Sequence, residues 1–592
     1  MRVAVVGCSH GSLDSIYASV QECDRVGRER GEAPVELVLC CGDFQAMRSP
    51  PDLHMMACPP KFRSMGDFHQ YYAGTKRAPY LTIVIGGNHE SSGFLWECFH
   101  GGWLAPDIYF LGYAGCLLVD GWLRIAGASG IWKQHDFTKG HFETVPYDNS
   151  TIRSVYHIRQ YEVARLLQAS LELLKNHGPR VDVFLSHDWP LGIEQHGDTA
   201  GLIREKPFFK QEIEENRLGS PPLHALMTTL QPRFWFSAHL HVKFAALFHH
   251  DGRKTLVKQR RRRQQMTGAA DVERANPDEI QLDDDDDEPE KGEGIQDAAL
   301  QGNPEEIALD DEESMDQIQS EEKGCTNCGG SAGTDGHLSG SGTIDDASND
   351  FKTSLFGTTS DAAITTKFLA LNKPGFGRDF VQIVDVVKKQ QDDVAEQSLD
   401  PNHADRHKDQ EQERPRLYFD PHWLAIVRAF SPYLSLDVRP KPFPDVSRHE
   451  QLVADALDWV RAHVGSNGDG KVEVDQIQQF AKTAPAPGEG YDHMMPSWYT
   501  NPQTEAFCKL VGIENQINPV PQEYKLAQQQ ELARLKQEAL KMVFDDDDVR
   551  DEETAVVSLD ETKLVDEEPK GEAAGMTNPD ELKIDDEDEE EA

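Results

Sequence analysis

Along roughly the first 250 residues, short continuous apolar runs alternate with stretches whose apolar positions recur at helical spacing. The runs fall at residues 2–7, 36–41, 81–85, 108–111, 123–126, 181–186, 234–238 and 244–248. Most show no polar alternation, so they predict strands covered on both faces. With helices between them, they predict an α/β fold in which sheet is covered by helix. The clearest helix is expected over residues 157–175.

The pattern breaks at about residue 254. Residues 254–360 are rich in charge, Gly and Ser and poor in aromatics, which predicts a disordered acidic insert. It opens on the basic run at 258–263, a form shared by nuclear import signals, phosphate-binding patches and solvated faces. Two strand-like segments, 366–371 and 380–386, lie within 361–387 and are expected to complete the first domain across the insert. A linker at 388–413 precedes a mixed aromatic and aliphatic run at 417–427, which opens a smaller, mainly helical region over 414–541. Residues 542–592 form an acidic tail.

Charge changes this picture in one respect. The chain carries a formal net charge of -43 and a pI near 4.8, which argues against a nucleic-acid partner if read globally. Nearly all of the surplus lies beyond residue 250, however, in runs such as 283–288, 545–548 and 585–591. The first domain is close to neutral, so the global figure excludes nothing at its surface. No apolar run approaches the roughly 20 residues that span a bilayer, and no membrane partner is expected. The ten cysteines have no framework spacing, which predicts a reducing compartment. Cys325 and Cys328 form a single CxxC that cannot complete a four-ligand zinc site. Residues 465–476 imitate a calcium loop but place Gly465 and Gln476 where acidic ligands are needed, so a polar turn is expected.

The candidate chemistry lies where the predicted strands end. Cys8-Ser9-His10, Gly42-Asp43, Gly87-Asn88-His89-Glu90, Ser186-His187 and His239-Leu240-His241 all fall at or just beyond carboxyl ends of predicted strands, the edge at which open α/β sheets bind ligands. One thiol, one carboxylate, one amide and several imidazoles in this order suit two metal ions acting on a phosphoryl group. Asp43 has two oxygens with which to bridge them.

These motifs resemble the calcineurin-like metallophosphoesterases, whose pattern is DxH, GD, GNH, a later H, and GHxH. The chain departs from it at Cys8, in place of Asp, and at Ala238, in place of Gly. Cysteine at the first position is a mark of the lariat debranching enzymes, and residues 152–159, 366–371, 420–425 and 501–505 resemble that family as well. The resemblance implies an αββα sandwich, with Cys8, His10, Asp43 and His241 in one metal pocket and Asp43, Asn88, His187 and His239 in the other. It implies His89 as the catalytic acid beside the leaving oxygen, with Glu90 orienting the loop. A thiolate ligand favours soft or borderline ions, so the expected cofactors are two divalent transition metals, Fe²⁺ and Zn²⁺, or Mn²⁺.

The implied reaction is hydrolysis of the 2′-5′ phosphodiester of branched intron lariat RNA. Unpaired RNA is held by aromatic and cationic groups. Residues 129–161 are dense in both, and the candidate substrate contacts are Trp132, Lys133, His135, Arg153, Tyr156, His157 and Arg159. Splicing or intron-turnover proteins are expected partners of the carboxyl half, and the nucleus is the expected location. A phosphatase of the same fold is the rival activity, but the sequence Gly42-Asp43-Phe44-Gln45-Ala46-Met47-Arg48 lacks the Asp-Arg pair expected of a protein phosphatase. A non-catalytic scaffold is the third reading, disfavoured because such scaffolds usually lose ligands and this chain keeps a full set.

Overall fold

The computed structural model describes residues 1–170, 180–251, 364–388, 414–465, 470–490 and 499–519. The whole insert at 254–360, with its basic run at 258–263 and Cys325 and Cys328, most of the linker at 388–413, residues 520–541, the acidic tail and part of the calcium-like turn lie outside the described residues, as does the end of the helix expected over 157–175.

Two mixed sheets form the core. The first has six strands in the order β12 (Val381–Asp385), β1 (Arg2–Val6), β2 (Leu37–Cys40), β3 (Leu81–Val84), β5 (Ile108–Phe110), β4 (Gly102–Ala105), and the second has seven in the order β10 (Phe244–His249), β11 (Thr365–Ala370), β9 (Phe234–Ser237), β8 (Val183–Ser186), β7 (Leu123–Ala128), β6 (Ala114–Val119), β13 (Leu417–Phe419). In the first sheet β1 (Arg2–Val6), β2 (Leu37–Cys40), β3 (Leu81–Val84) and β5 (Ile108–Phe110) run parallel, and in the second β7 (Leu123–Ala128), β8 (Val183–Ser186), β9 (Phe234–Ser237) and β11 (Thr365–Ala370) do. Nearly every residue of the parallel strands β1–β3, β5 and β7–β9 is buried, which explains why their sequences are uninterrupted apolar runs. The facing sides of the sheets share one apolar core, close enough that a side chain at Gly127 in β7 would touch Ile85 at the end of β3. Helix Leu13–Glu29 buries Leu13, Ile16, Tyr17 and Val20 against the first sheet, where the Tyr17 hydroxyl meets Thr82 of β3 at 3.0 Å.

The described strands on either side of the insert pair with each other. β10 (Phe244–His249) pairs antiparallel with β11, from Phe244 opposite Ala370 to His249 opposite Thr365. β12 (Val381–Asp385) then crosses to the first sheet and pairs antiparallel with β1. Loop-closure entropy grows only slowly with length, so a long insert is accommodated at a hairpin end without disturbing the ladder.

Three strands escaped the apolar pattern: β4 (Gly102–Ala105), β6 (Ala114–Val119) and β13 (Leu417–Phe419). β13 is the instructive case. The run at 417–427 is divided at Asp420: three residues extend the second sheet beside β6, and helix Pro421–Phe430 follows, with Asp420 capping the N–H groups of His422 and Trp423. Proline at the first helical position and a carboxylate before it define this start locally.

The carboxyl region is sewn onto the first sheet rather than set apart. Gln503 accepts from Trp103 N–H at 2.7 Å and donates to Trp103 carbonyl at 2.9 Å, and Gln478 accepts from the Tyr109 hydroxyl at 2.8 Å. Arg48, 1 % exposed, pairs with Asp52 and Glu97 and donates to Thr483 at 2.8 Å.

A candidate metal centre at the shared sheet edge

The five motifs, 230 residues apart in sequence, meet where the two sheets expose the carboxyl ends of β1, β2, β3, β8 and β9. Cys8, His10, Asp43 and His241 bring one ligand atom each to within 4.8 Å of one another. The Nε2 atoms of His10 and His241 lie 3.1 Å apart, and His10 Nε2 is 3.6 Å from Asp43 Oδ2. On the other side of Asp43, His187 Nε2 lies 3.3 Å from Oδ1 and 3.2 Å from the Asn88 amide oxygen, and the His239 ring centre is 5.0 Å from that of His187. Asp43 thus turns one oxygen toward each group.

Local backbone strain supports this convergence. His10, Asp43, His239 and His241 all have positive φ, between 43° and 64°, as does Gln45. Left-handed conformations disfavour side-chain-bearing residues by roughly 1–2 kcal/mol each, and such strain collects at functional sites. Glycines create the space: a Cβ at Gly42 would lie 2.4 Å from the His187 ring and one at Gly87 2.3 Å from Asp43 Oδ1.

Neighbouring groups fix the ligand orientations. His187 Nδ1 donates to the Cys41 carbonyl at 2.7 Å, which leaves Nε2 as the nitrogen facing Asp43. The Gln45 side-chain amide nitrogen lies 3.1 Å from His10 Nδ1 and holds that ring in place. The His239 N–H donates to the Cys8 sulfur at 3.2 Å. Glu90 is buried and accepts from the N–H groups of Phe44, Gln45 and Gly87 at 2.7–2.9 Å, so it joins the Asp43 and Asn88 loops.

The electrostatics describe a site built for positive charge. Burial alone would raise the Asp43 carboxyl, yet His187 and His89 beside it hold it well below the usual carboxylate range. Burial pushes His10 down to about 4 and His239 to about 3, keeping those imidazoles neutral. Burial and the charge of Asp43 push the Cys8 thiol up, and the same charge combines with burial to bring Glu90 to about 7. A buried thiol, a carboxylate, an amide oxygen and imidazoles turned on one another have the donor chemistry of a transition-metal centre, so the residues present fit divalent ions.

His89 stands at the rim and is not part of the four-residue group. Its N–H donates to Asp43 Oδ1 at 2.9 Å, and its ring centre is 5.6 Å from that of His10.

The seven candidate substrate contacts do not share one fate. Lys133 and His135 are exposed, and Trp132, Arg153 and Tyr156 are half-buried. The Trp132 N–H donates to Asp188 at 3.3 Å, tying this loop to the neighbour of His187. His157 and Arg159 are buried inside the loop instead. Asp136 receives His157 Nδ1 at 2.6 Å and Lys139 at 2.8 Å, while Arg159 donates to the Asp136 carbonyl and pairs with Glu143. Arg159, 0 % exposed, therefore shapes the loop from within and does not present its guanidinium to a ligand. His135, Asp136 and His157 also converge, but the cations Lys139 and Arg159 already occupy that carboxylate. Sequence reasoning passed over Gln45, Asp188 and Lys373. The first two carry no motif, and Lys373 follows a segment read only as a strand.

Fold and donor set together define a calcineurin-like metallophosphoesterase, a class that works with divalent metal ions. The calcineurin-like phosphoesterase family matches residues 1–243, and the lariat debranching enzyme C-terminal domain matches residues 363–516. The lariat debranching enzyme of Schizosaccharomyces pombe is 33 % identical over 526 residues, which cover 88 % of this chain and 98 % of that protein. The chain belongs to the lariat debranching enzyme family. Lariat debranching enzymes of Homo sapiens and Arabidopsis thaliana are 54 % and 48 % identical over 253 and 258 residues, 43 % and 44 % of this chain. Those two matches span only 44 % and 59 % of the relatives' own lengths.

Proposed function

We propose that this chain hydrolyses the 2′-5′ phosphodiester at the branch of excised intron lariats, linearising the RNA in the nucleus after splicing. The observation that carries the reading is Asp43, whose two oxygens face two separate groups of ligand residues. Cys8, His10, Asp43 and His241 would hold one divalent ion and Asp43, Asn88, His187 and His239 a second. Such ions, when bound, offset the charge that develops on the phosphoryl oxygens. The soft Cys8 sulfur favours Fe²⁺ or Zn²⁺ over Mg²⁺.

The remaining work falls to the chain. Asn88 and the imidazoles keep their donor atoms fixed through the Cys41 carbonyl, Gln45 and Glu90, so little reorganisation accompanies reaction. His89, held by its own N–H on Asp43, places an imidazole at the rim, where it donates a proton to the departing 2′-oxygen. The other product keeps a 5′-phosphate. Lys133, His135, Trp132, Arg153 and Tyr156 form the exposed and half-exposed side of a loop tied beside His187, suited to an unstacked branch. The carboxyl half is a candidate surface for splicing or intron-turnover proteins.

The test is cleavage of a short synthetic branched RNA and a linear 3′-5′ control by protein loaded with Mn²⁺, Fe²⁺ or Zn²⁺. Only the branch should be cut, and His89→Ala should lower kcat by about 10²–10⁴ without loss of bound metal. Metal-loaded protein that leaves the branch intact would refute the reading.

A further inference from the structure

The chain returning from the insert brings a second aromatic and cationic group to the catalytic edge. β11 runs parallel to β9, with Ala370 opposite Ser237, so it exits on the edge from which His239 and His241 emerge. The Leu371 N–H donates to the Ser237 carbonyl at 3.2 Å. Residues 371 and 372 press directly on Gly7, where even a methyl group would come within 2.1 Å of the Asn372 carbonyl oxygen. Gly7 precedes Cys8, so Lys373 leaves the sheet against the Cys8, His10 and His241 pocket. Its positive charge is among those acting on all three.

From Lys373 the chain forms a protruding loop with a fastened base. The Asn372 N–H donates to the Asp379 carbonyl at 3.1 Å, and Lys243, two residues after His241, lies 3.5 Å from the Asp379 carboxylate. At the tip, the Arg378 N–H closes a turn on the Gly375 carbonyl at 3.2 Å, with Phe376 and Gly377, at φ +68°, as its central residues. Phe376 is wholly solvent-exposed, more so than any other large hydrophobic side chain among the described residues. Burying such a ring is favourable, and the folded chain leaves that gain unused.

We propose that residues 373–378 form a second RNA-binding arm, in which Phe376 stacks on an unpaired base beside the branch while Lys373 and Arg378 contact adjoining phosphates. The proposal rests on the branched-RNA reading above. An exposed aromatic ring between cations is the combination that holds single strands, since every base offers a face to stack. Three residues of chain reach at most about 11 Å, so Phe376 stays within range of nucleotides next to the scissile phosphate. The loop at 129–161 is tied at Asp188, next to His187, and this arm packs on Gly7, next to Cys8. A branch nucleotide, from which three strand directions leave, would be held from both sides.

The experiment uses the full chain and three variants, Phe376→Ala, Phe376→Trp and Lys373→Gln, with synthetic branched RNA. Phe376→Ala should raise KM about tenfold, within the range for loss of one base stack, with kcat and thermal midpoint unchanged. Phe376→Trp should restore the wild-type KM, and Lys373→Gln should flatten the salt dependence of binding by about one phosphate contact. Binding of the same RNA is also measured by gel shift under chelator, without cleavage. Equal affinity of wild type and Phe376→Ala there overturns the arm and leaves the loop to a partner other than RNA. Failure of wild-type cleavage with a preserved difference in affinity would sink the reaction instead, and keep the arm.

Discussion

Glu90 accepts the backbone N–H of Gln45 at 2.8 Å, and through that bond the loop after β2 is joined to the loop after β3. Its carboxylate also serves Phe44 and Gly87, so one buried side chain satisfies three amides that have no strand to pair with. Replacing Glu90 by Ala leaves these donors buried without an acceptor. The expected cost is about 3 kcal/mol in denaturant unfolding, less than the sum of three independent penalties because the loops relax. Bound metal should fall with it, as Asp43 loses its fixed position. Glu90→Gln keeps one oxygen and should lie between. Wild-type metal content in Glu90→Ala would show that Asp43 is held by other means.

Cys8 is the one thiol in the ligand group, and its exchange tests what that thiol selects. Cys8→Asp is expected to shift occupancy toward harder ions when the protein is equilibrated with an equimolar mixture of Zn²⁺, Mn²⁺ and Mg²⁺ and its metal content is determined. An unchanged metal profile would mean that the imidazoles alone set the preference.

Acid should loosen the 129–161 loop before the rest of the fold. Burial opposes ionisation of Asp136, but His157 and Lys139 hydrogen-bonded to it hold the carboxyl below its ordinary value, while burial lowers His157 in spite of Asp136. Both folded-state values lie below those of the unfolded chain. The stabilisation is therefore complete above the ordinary histidine range, near pH 6.5, and is lost as pH falls through the folded values, the Asp136 part below about pH 4. The stability difference between wild type and Asp136→Asn, measured by denaturant unfolding, should shrink as pH falls below about 4, where Asp136 of the unfolded chain takes up its proton. A gap that widens below that pH would contradict the assignment.

Arg48 couples the catalytic sheets to the carboxyl region through Glu97 and Thr483. Arg48→Met strands Asp52 and Glu97 as buried carboxylates and should cost about 3–5 kcal/mol. Adding Glu97→Gln should recover part of that loss, a coupling visible in a double-mutant cycle. Additive single effects would show that the pair does not interact in solution.

Much of the site was legible because its parts are local. Gly42-Asp43 and Gly87-Asn88-His89-Glu90 announce themselves through residue types and spacing, and each follows an apolar run. Helix Pro421–Phe430 was hidden inside a longer run, since β13 and the helix share an apolar character and differ only in period, over three residues. Arg159 was misread for a related reason. An arginine in an aromatic, basic stretch has the composition of an RNA contact, but whether its guanidinium faces solvent or Glu143 depends on how the loop closes.

The amino-acid sequence by itself determined the alternation of strands and helices, the glycines at which loops turn, and the donor types gathered after β1, β2, β3, β8 and β9, because these follow from side-chain chemistry and short-range periodicity. Only the tertiary structure decided that Asp43 faces two ligand groups, that Glu90 clamps both loops, and that the chain beyond the insert places Lys373 beside Cys8. Those relations join residues far apart in sequence, and they exist only once strand pairing and burial have brought the edges of two sheets together.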